Sequence, residues 1–227
     1  MNDPIIRTCD LRKVYRVGEV DVPALRGVNI EVAPAEFVSI VGPSGSGKST
    51  LFHIIGALTP PTSGEVSVAG QDLSKLSDAE RTRMRKRTVS FVFQKFNLLP
   101  NLTARENIAV ARYIGGGEGQ PGPEFEQVLR LLGIAGRLDH KPSALSGGEQ
   151  QRIAIARAIV NKPAILLADE PTGNLDSENS QAVLSVLRDL NNRLGQTVLM
   201  ITHNPEAAAY GHRTVHMRDG RLVEVTA

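Results

Sequence analysis

Residues 42–50 read GPSGSGKST, between an apolar run at residues 37–41 and a segment with helical character at residues 50–58. Gly42 and Gly47 let the backbone turn tightly and aim its N–H groups inward. A helix that begins directly after the loop adds positive potential at its N-terminus. The alternative is a glycine-rich turn that arose by chance, which the flanking strand and helix disfavour. The stretch therefore predicts a phosphate-binding loop within an α/β fold.

Two side chains of this loop have specific expected roles. Lys48 is expected to reach the β- and γ-phosphates of a nucleotide, and the Ser49 hydroxyl is expected to bind Mg²⁺. The candidate phosphate-binding residues are Gly42, Ser44, Gly45, Ser46, Gly47, Lys48, Ser49 and Thr50.

A second group of candidates follows later strands. Residues 164–170 read AILLADE, an aliphatic run that ends in two acids. Asp169 fits a ligand in the Mg²⁺ shell, and Glu170 fits a general base for the attacking water. The alternative is a pair of acids that ends a strand and caps a turn. His203 follows the next apolar run; a lone histidine is more often structural, but ligands bind at the carboxyl ends of parallel strands, where these side chains would meet.

The remaining chain alternates strand-like and helical segments, which predicts a parallel sheet with crossover helices. Capping boxes mark three helix starts, at residues 77–80, 103–106 and 146–149. Residues 96–145 show only helical character, which predicts a helical insertion. A glycine- and proline-rich loop, expected to be mobile, lies at residues 115–123.

Composition narrows the function classes. A formal net charge of +2 does not indicate nucleic-acid binding, which usually requires a dominant basic face. One cysteine, Cys9, excludes an intrachain disulfide and is expected to be a small apolar residue of an early strand. We find no signal-peptide pattern and no apolar run long enough to cross a bilayer. Any action at a membrane would therefore require a partner.

Residues 145–150 read LSGGEQ. A phosphate loop, this segment, Asp169-Glu170 and His203, in that order, resemble the ATP-binding subunit of an ABC transporter over essentially the whole chain. The resemblance implies that Ser146, Gly147 and Gly148 form a second anion site facing the γ-phosphate held by another copy. Two copies would then enclose two ATP molecules head to tail, with Mg²⁺ as the cofactor. Taken alone, LSGGEQ could be an ordinary capped helix start.

The resemblance also implies an architecture. We expect an α/β fold with a P-loop NTPase core and a parallel sheet, an N-terminal antiparallel β subdomain and an inserted helical subdomain. Residues 1–227 would form one nucleotide-binding domain, with the helical subdomain at about residues 96–160.

Other positions take roles by the same resemblance. Tyr15 stands where an aromatic ring stacks on adenine, although it could equally be a packing residue. Gln94 resembles the glutamine that touches Mg²⁺ or the lytic water and senses the membrane partner. Asp176 resembles the acid that links the two sites across the dimer. Two departures from the family, Ala35 in place of glycine and His53 after the phosphate loop, are expected to lie outside the chemistry.

A narrower resemblance comes from PALRG at residues 23–27, FNLLP at 96–100, TAREN at 103–107 and PTGNLD at 171–176. These segments resemble the bacterial subgroup of lipoprotein release, macrolide and peptide export, and cell division. The subgroup implies a subunit peripheral to the cytoplasmic face of the inner membrane. Its integral membrane partner would dock near Phe96, Leu98 and Leu99, for which local packing is the alternative. The competing function is a soluble ABC ATPase of DNA maintenance or translation.

Overall fold

The computed structural model describes residues 3–118 and 121–226. In chain order its elements are β1 Ile6–Val17, β2 Val20–Val32, β3 Phe37–Val41, α1 Lys48–Ile55, β4 Ser63–Val68, β5 Gln71–Asp72, α2 Asp78–Arg87, β6 Val89–Phe93, α3 Ala104–Ile114, α4 Pro123–Leu131, α5 Gly147–Ile159, β7 Ile165–Asp169, α6 Ser177–Leu194, β8 Thr197–Ile201, α7 Pro205–Ala208, β9 Arg213–Arg218 and β10 Arg221–Thr226.

The central sheet has the strand order β10-β9-β3-β8-β7-β6. All pairs in it are parallel except β10 with β9. Strands β3, β7 and β8 read as nearly continuous apolar runs because helices or the second sheet cover both of their faces. The predicted α/β fold with a parallel core is confirmed.

A second sheet, antiparallel throughout, has the order β2-β1-β4-β5. It forms the predicted N-terminal β subdomain. Strand β2 begins at Val20, eight residues before the apolar positions Val28, Ile30 and Val32 that are buried, and it includes Pro23. Because β2 is an edge strand, the missing N–H of Pro23 interrupts no ladder between two neighbours. Pairing with β1, rather than local pattern, extends this strand.

Between β6 and β7 the regular elements are helical: α3, α4, α5 and short 3₁₀ turns. The capping boxes expected at the starts of α2, α3 and α5 are all formed, which confirms those helix starts. Leu132 and Ile134 of this segment and Ile153 of α5 are fully buried in one apolar cluster with Leu187 of α6. The helical segment is thereby packed onto one face of the central sheet.

Three expectations differ from the structure or lie outside it. The helix after the phosphate loop begins at Lys48 and not at Thr50, because Gly47 in a left-handed conformation already caps it. Cys9 is exposed, since it lies on the solvent side of β1 between buried Thr8 and exposed Asp10, where the pairing with β2 shifts register. The predicted loop at residues 115–123 includes residues 119 and 120, which are outside the described residues. Among the helices of residues 3–118 and 121–226, none has the length and apolar character needed to cross a membrane.

Candidate nucleotide-binding site

Four loops meet at the carboxyl edge of the central sheet. Strands β3, β8, β7 and β6 are neighbours and run parallel, so the segments that follow them emerge side by side. Those segments are the glycine-rich loop after β3, His203 after β8, Asp169-Glu170 at the end of β7 and Gln94 after β6. The topology therefore brings the sequence-predicted residues of the site to one edge, as expected for ligand binding in such sheets.

The glycine-rich loop is held tightly against neighbouring backbone. A Cβ atom at Gly42 would lie 2.2 Å from the carbonyl oxygen of Met217, and one at Gly47 would lie 2.6 Å from that of Ala24. Gly45 has open space around it but adopts φ 78, a conformation that favours glycine. Close packing and left-handed backbone together explain the glycines, which the sequence pattern alone attributed to phosphate contact.

Side chains of the loop divide into buried and exposed groups. Ser46 is buried, and its carbonyl oxygen accepts a hydrogen bond of 3.0 Å from the Gly220 amide. Ser44 and Ser49 are exposed, and Thr50 is half-buried in the first turn of α1. The Ser49 hydroxyl is thus accessible to a ligand at the helix N-terminus.

Lys48 folds back over the loop. Its Nζ donates to the carbonyl oxygens of Gly42 at 2.7 Å and Pro43 at 2.9 Å. Desolvation lowers the pKa of this ammonium, while the carboxylates of Glu170 and Asp169 act in the opposite direction. A partly desolvated ammonium whose hydrogen-bond partners are neutral oxygens is suited to bind phosphate oxygens.

The acids at the end of β7 have different surroundings. Burial and the neighbouring Glu170 raise the pKa of Asp169, and His53 and Lys48 offset part of that effect. Glu170 adopts φ 46, a left-handed conformation that is strained for a non-glycine residue. Its Oε1 lies 2.8 Å from Nδ1 of His203, whose side chain is largely exposed. The Glu170–His203 pair thus lies at the same sheet edge as the glycine-rich loop.

Gln94 and Asp176 make contacts that the sequence did not foresee. Gln94 Nε2 donates to Asn174 Oδ1 at 3.1 Å, and Asn174 Nδ2 donates to the carbonyl oxygen of Gln94 at 3.1 Å. Asp176 caps α6 by accepting from the amide and the side chain of Asn179, each at 2.8 Å. In this structure both side chains are engaged within the segment that follows Glu170.

Tyr15 lies on the β1–β2 hairpin and pairs with Val22, two residues before Ala24, whose carbonyl faces Gly47. Tyr15 is 36% exposed, and Lys13 Nζ lies over its ring, 5.0 Å from the centroid. The hairpin therefore carries a partly exposed aromatic ring beside the strand that leads to Ala24.

The signature segment begins α5. Ser146 is the exposed N-cap, and Gly147 and Gly148 form the first turn. Gly148 is buried against α6, where an added Cβ atom would lie 2.0 Å from Asn179 Oδ1. The Ser146 hydroxyl and the free N–H groups of this turn are available for an anion.

Sequence reasoning missed two residues near the site. Gln151 is fully buried, and its Nε2 donates to the carbonyl oxygens of Phe93 at 3.2 Å and Pro171 at 2.6 Å. It thereby ties α5 to the residues next to Gln94 and Glu170. His53, expected to lie outside the chemistry, is close enough to lower the pKa of Asp169. For Gln151, its place directly after the signature was the available signal.

A parallel sheet with a glycine-rich loop and an acidic strand end at one edge defines the nucleotide-binding class of α/β proteins. The family model described as "ABC transporter" matches residues 25–173. The chain belongs to the ABC transporter family, as an ATP-binding cassette of the ABC ATPase class. This confirms the resemblance on which the sequence-based assignment rested.

Curated relatives fall into two sizes. The chain is 46% identical to the lipoprotein-releasing system ATP-binding protein LolD 2 of Caulobacter vibrioides over 98% of both chains. It is 49% identical to the macrolide export ATP-binding/permease protein MacB of Syntrophobacter fumaroxidans over 95% of this chain but 31% of that protein. The chain thus spans about a third of the MacB relative.

Solved structures agree with the fold. The chain is similar to the dimeric ATP-binding cassette MJ0796 in a post-hydrolysis state bound to ADP and Pi. The TM-score is 0.85 at 41% identity, and 97% of each chain is covered. Similarity to cbiO1 of Clostridium perfringens, part of the ABC transporter complex cbiONQ, has a TM-score of 0.87 at 25% identity over 99% of this chain and 89% of that one.

Proposed function

We propose that this chain hydrolyses ATP as a dimer and drives a separate integral membrane subunit in export, lipoprotein release or periplasmic force transmission. One observation carries the catalytic part: the Glu170–His203 pair, 2.8 Å apart, beside the glycine-rich loop. The similarity to LolD 2 over nearly the full length supports a cassette that acts with a separate membrane partner. The similarity to MacB supports export as the other member of the same class.

The charges of the site fit Mg-ATP. Lys48 and the loop N–H groups would hold the phosphates, and the Tyr15 ring would stack on adenine. Ser49, Asp169 and Gln94 would hold Mg²⁺, which neutralises phosphate charge when bound. The raised pKa of Asp169 supports this assignment, because a buried carboxylate without enough positive neighbours is stabilised by a cation. Gln94 would have to exchange its Asn174 contact for this role.

Glu170 would act as the general base that orients and polarises water for in-line attack on the γ-phosphate. His203 Nδ1 lies within hydrogen-bond distance of the carboxylate and would fix its orientation. The exposed His203 ring would also stabilise charge that develops on the phosphate oxygens. Backbone strain at Glu170 is consistent with a side chain positioned for reaction.

The dimer would complete each site. Ser146, Gly147 and Gly148 of one copy would contact the γ-phosphate held by the other, and Asp176 would lie between the two sites. This arrangement is isologous, as in most two-fold dimers. Similarity to the dimeric MJ0796 cassette supports it. Because nucleotide would be part of the interface, dimer stability should depend on ATP.

The membrane partner would dock on the helical subdomain, which we place at about residues 96–160 of a single nucleotide-binding domain, residues 1–227. Leu99 is 46% exposed, and Asn107 fixes its backbone through hydrogen bonds of 2.7 and 3.1 Å. Phe96 is half-buried, and Leu98 packs against the core. Docking there would hold the chain peripherally at the cytoplasmic face of the inner membrane.

Glu170→Gln tests the catalytic proposal. Removing a general base typically lowers turnover by about 10² to 10⁴, so ATPase activity should fall by that much while ATP binding persists. The variant should also accumulate as an ATP-bound dimer, measured by analytical ultracentrifugation. Glu224→Gln, on exposed strand β10, is the matched control and should keep wild-type turnover. Normal turnover of Glu170→Gln would refute the base assignment.

A further inference from the structure

The capping boxes at the starts of α2, α3 and α5 share the same backbone hydrogen bonds. In each, the glutamate three residues after the N-cap accepts a hydrogen bond from the N-cap amide, and the N-cap hydroxyl accepts one from the glutamate amide. The pairs are Ser77 with Glu80, Thr103 with Glu106 and Ser146 with Glu149. These boxes allow the signature helix to be compared with two ordinary helices of the same chain.

The three boxes differ in how the N-cap hydroxyl contacts the glutamate carboxylate. Ser77 Oγ donates to the Glu80 carboxylate at 2.6 Å, and Thr103 Oγ1 donates to the Glu106 carboxylate at 3.0 Å. At the signature helix, the hydrogen bonds of the box are the Ser146 amide to Glu149 Oε2 at 2.8 Å and the Glu149 amide to Ser146 Oγ at 3.2 Å. Among these three boxes, the one at Ser146 therefore has the weakest contact between the N-cap hydroxyl and the glutamate carboxylate.

The hydroxyl of Ser77 is the largest cause that lowers the pKa of Glu80, and the hydroxyl of Thr103 is second to the Thr103 amide in lowering the pKa of Glu106. For Glu149, the amide of Ser146 is the largest cause of the lowered pKa, and the hydroxyl of Ser146 is the smallest.

Arg137 distinguishes the box at the signature helix from the other two. Its Nε lies 2.6 Å from Glu149 Oε1, so one carboxylate oxygen faces Arg137 while the other accepts from the Ser146 amide. The Glu149 side chain is only 17% exposed, which restricts its alternatives. Among the described residues, the ion pairs within 4.0 Å include Glu149 but neither Glu80 nor Glu106.

We propose that Arg137 is a positioning residue: it holds the Glu149 carboxylate so that the Ser146 hydroxyl keeps its proton for the ATP phosphate bound by the partner copy. The proposal rests on the ATP sandwich proposed above. A hydroxyl has one proton to donate, and a carboxylate three residues away competes with phosphate for it. Without Arg137, the Ser146 box should adopt the arrangement seen at Ser77 and Thr103.

Two substitutions break the same ion pair but have different consequences. Arg137→Ala leaves a free carboxylate that can capture the Ser146 hydroxyl. Glu149→Gln removes the charged acceptor and still allows a capping box. If Arg137 served only as an ion-pair partner, both variants would be equally impaired. The proposal instead requires Arg137→Ala to be clearly worse than Glu149→Gln.

The measurement is the dimer dissociation constant in saturating ATP by analytical ultracentrifugation, with every variant built on full-length Glu170→Gln. A charge-assisted hydrogen bond is worth about 1.5–3 kcal/mol, so Arg137→Ala should weaken the dimer by about tenfold or more. Glu149→Gln should weaken it by about twofold, and the double variant should match Glu149→Gln. Arg137→Lys should recover most of the affinity. ATP binding by the monomer should be equal in all variants.

Controls separate this role from general stability and from bulk charge. Arg105→Ala removes an arginine that is 48% exposed, against 50% for Arg137, and that pairs with Asp139 in the same region; it should leave dimerisation unchanged. In a Ser146→Ala background, Arg137→Ala should add little. Equal losses in Arg137→Ala and Glu149→Gln, or a full Arg137→Ala loss without the Ser146 hydroxyl, would overturn the proposal and leave the sandwich standing. A Glu170→Gln parent that forms no ATP-dependent dimer would overturn the sandwich and, with it, the role of Arg137.

Discussion

At the scale of single residues, the backbone of Ala35 is strained. It adopts φ 60, the left-handed region, in the turn between β2 and β3. Its amide donates to Thr197 Oγ1 at 2.9 Å, and its carbonyl oxygen accepts from Asn191 Nδ2 at 2.8 Å, so the surrounding structure fixes this conformation. A left-handed conformation costs an L-residue about 1–2 kcal/mol. Glycine would relieve that cost, because it has no Cβ atom.

We therefore predict that Ala35→Gly raises the free energy of unfolding by about 0.5–1 kcal/mol, after allowing for the greater backbone entropy of glycine in the unfolded chain. Urea denaturation of the nucleotide-free protein measures it. Ala33→Gly is the matched control in the same turn; Ala33 is not among the positive-φ residues. Ala33→Gly should lower the free energy of unfolding, because it adds the backbone entropy of glycine in the unfolded chain and relieves no strain. A loss of stability in Ala35→Gly would contradict the assignment of strain.

The second prediction for a single residue concerns Asp169 and the dependence of stability on pH. Because the folded-state pKa of Asp169 is raised, its stabilising contribution is complete below the ordinary value of 3.8 and is lost as pH rises through the folded pKa. Asp169→Asn lacks this loss. The nucleotide-free variant should therefore gain stability over the wild type as pH rises from below 3.8 to neutral.

Urea denaturation across that pH range in the presence of a chelator tests the prediction for Asp169. The variant should lose ATPase activity in the same preparation, since the carboxylate is the proposed Mg²⁺ ligand. A stability difference that stays constant with pH would show that the carboxylate is not destabilised by burial and by Glu170.

At the scale of elements, the requirement for Gly148 arises between two helices. A Cβ atom added to Gly148 would lie 2.0 Å from Asn179 Oδ1. The same Asn179 side chain donates through Nδ2 to Asp176, the N-cap of α6. We expect Gly148→Ala to displace Asn179 and to lower the free energy of unfolding by about 1–3 kcal/mol. Urea denaturation measures it, and Asn179→Ala in addition should recover part of the loss.

Gly147 provides the control one residue away. A Cβ atom there would lie 3.1 Å from Leu175 Cδ2, a flexible side-chain end that can move. Gly147→Ala should therefore change stability much less than Gly148→Ala. Equal losses for both glycines would indicate a general effect on the helix start in place of contact with α6.

The same elements show how far sequence reasoning reaches. Capping boxes and apolar runs are local signals, so the starts of α2, α3 and α5 and the bounds of α6 were predictable. Features that depend on distant partners were not predictable. Strand β2 is extended by its pairing with β1, and the Gln151 side chain donates to carbonyl oxygens 58 and 20 residues away. Residue types of the candidate site could be read from motifs, but their present partners could not.

At the scale of the whole molecule, the central sheet separates two apolar layers. One layer unites the sheet with the helical segment, through residues such as Ile153 and Leu187, and the other unites it with α1 and the antiparallel sheet, through residues such as Phe52 and Val66. The proposed ATP site lies at the edge where both layers end. Movement of the helical layer relative to the other would therefore act directly on Gln94 and on the segment after Glu170.

An exposed apolar strip continues this helical layer to the surface. Val110, Tyr113 and Ile114 of α3 are exposed, and their spacing of three and four residues places them on one face. Leu99 is 46% exposed and is fixed to α3 by Asn107. Exposed apolar patches are typical of protein interaction sites, so these side chains support the proposed docking of the membrane partner on this subdomain.

We predict that Leu99→Glu removes the membrane partner without unfolding the chain. Loss of one buried leucine contact should weaken association by about tenfold to a hundredfold, because its burial is worth about 1.5–3 kcal/mol. Leu194→Glu, at a leucine that is 55% exposed at the end of α6, should bind normally. Leu98→Glu should destabilise the fold because Leu98 packs on the core. Quantitative co-purification of tagged chains from solubilised native membranes measures recruitment. If Leu99→Glu recovered as much of a membrane protein as the wild type does, docking would lie elsewhere. If the wild-type chain recovered ribosomes or DNA and no membrane protein, the soluble ATPase would be favoured.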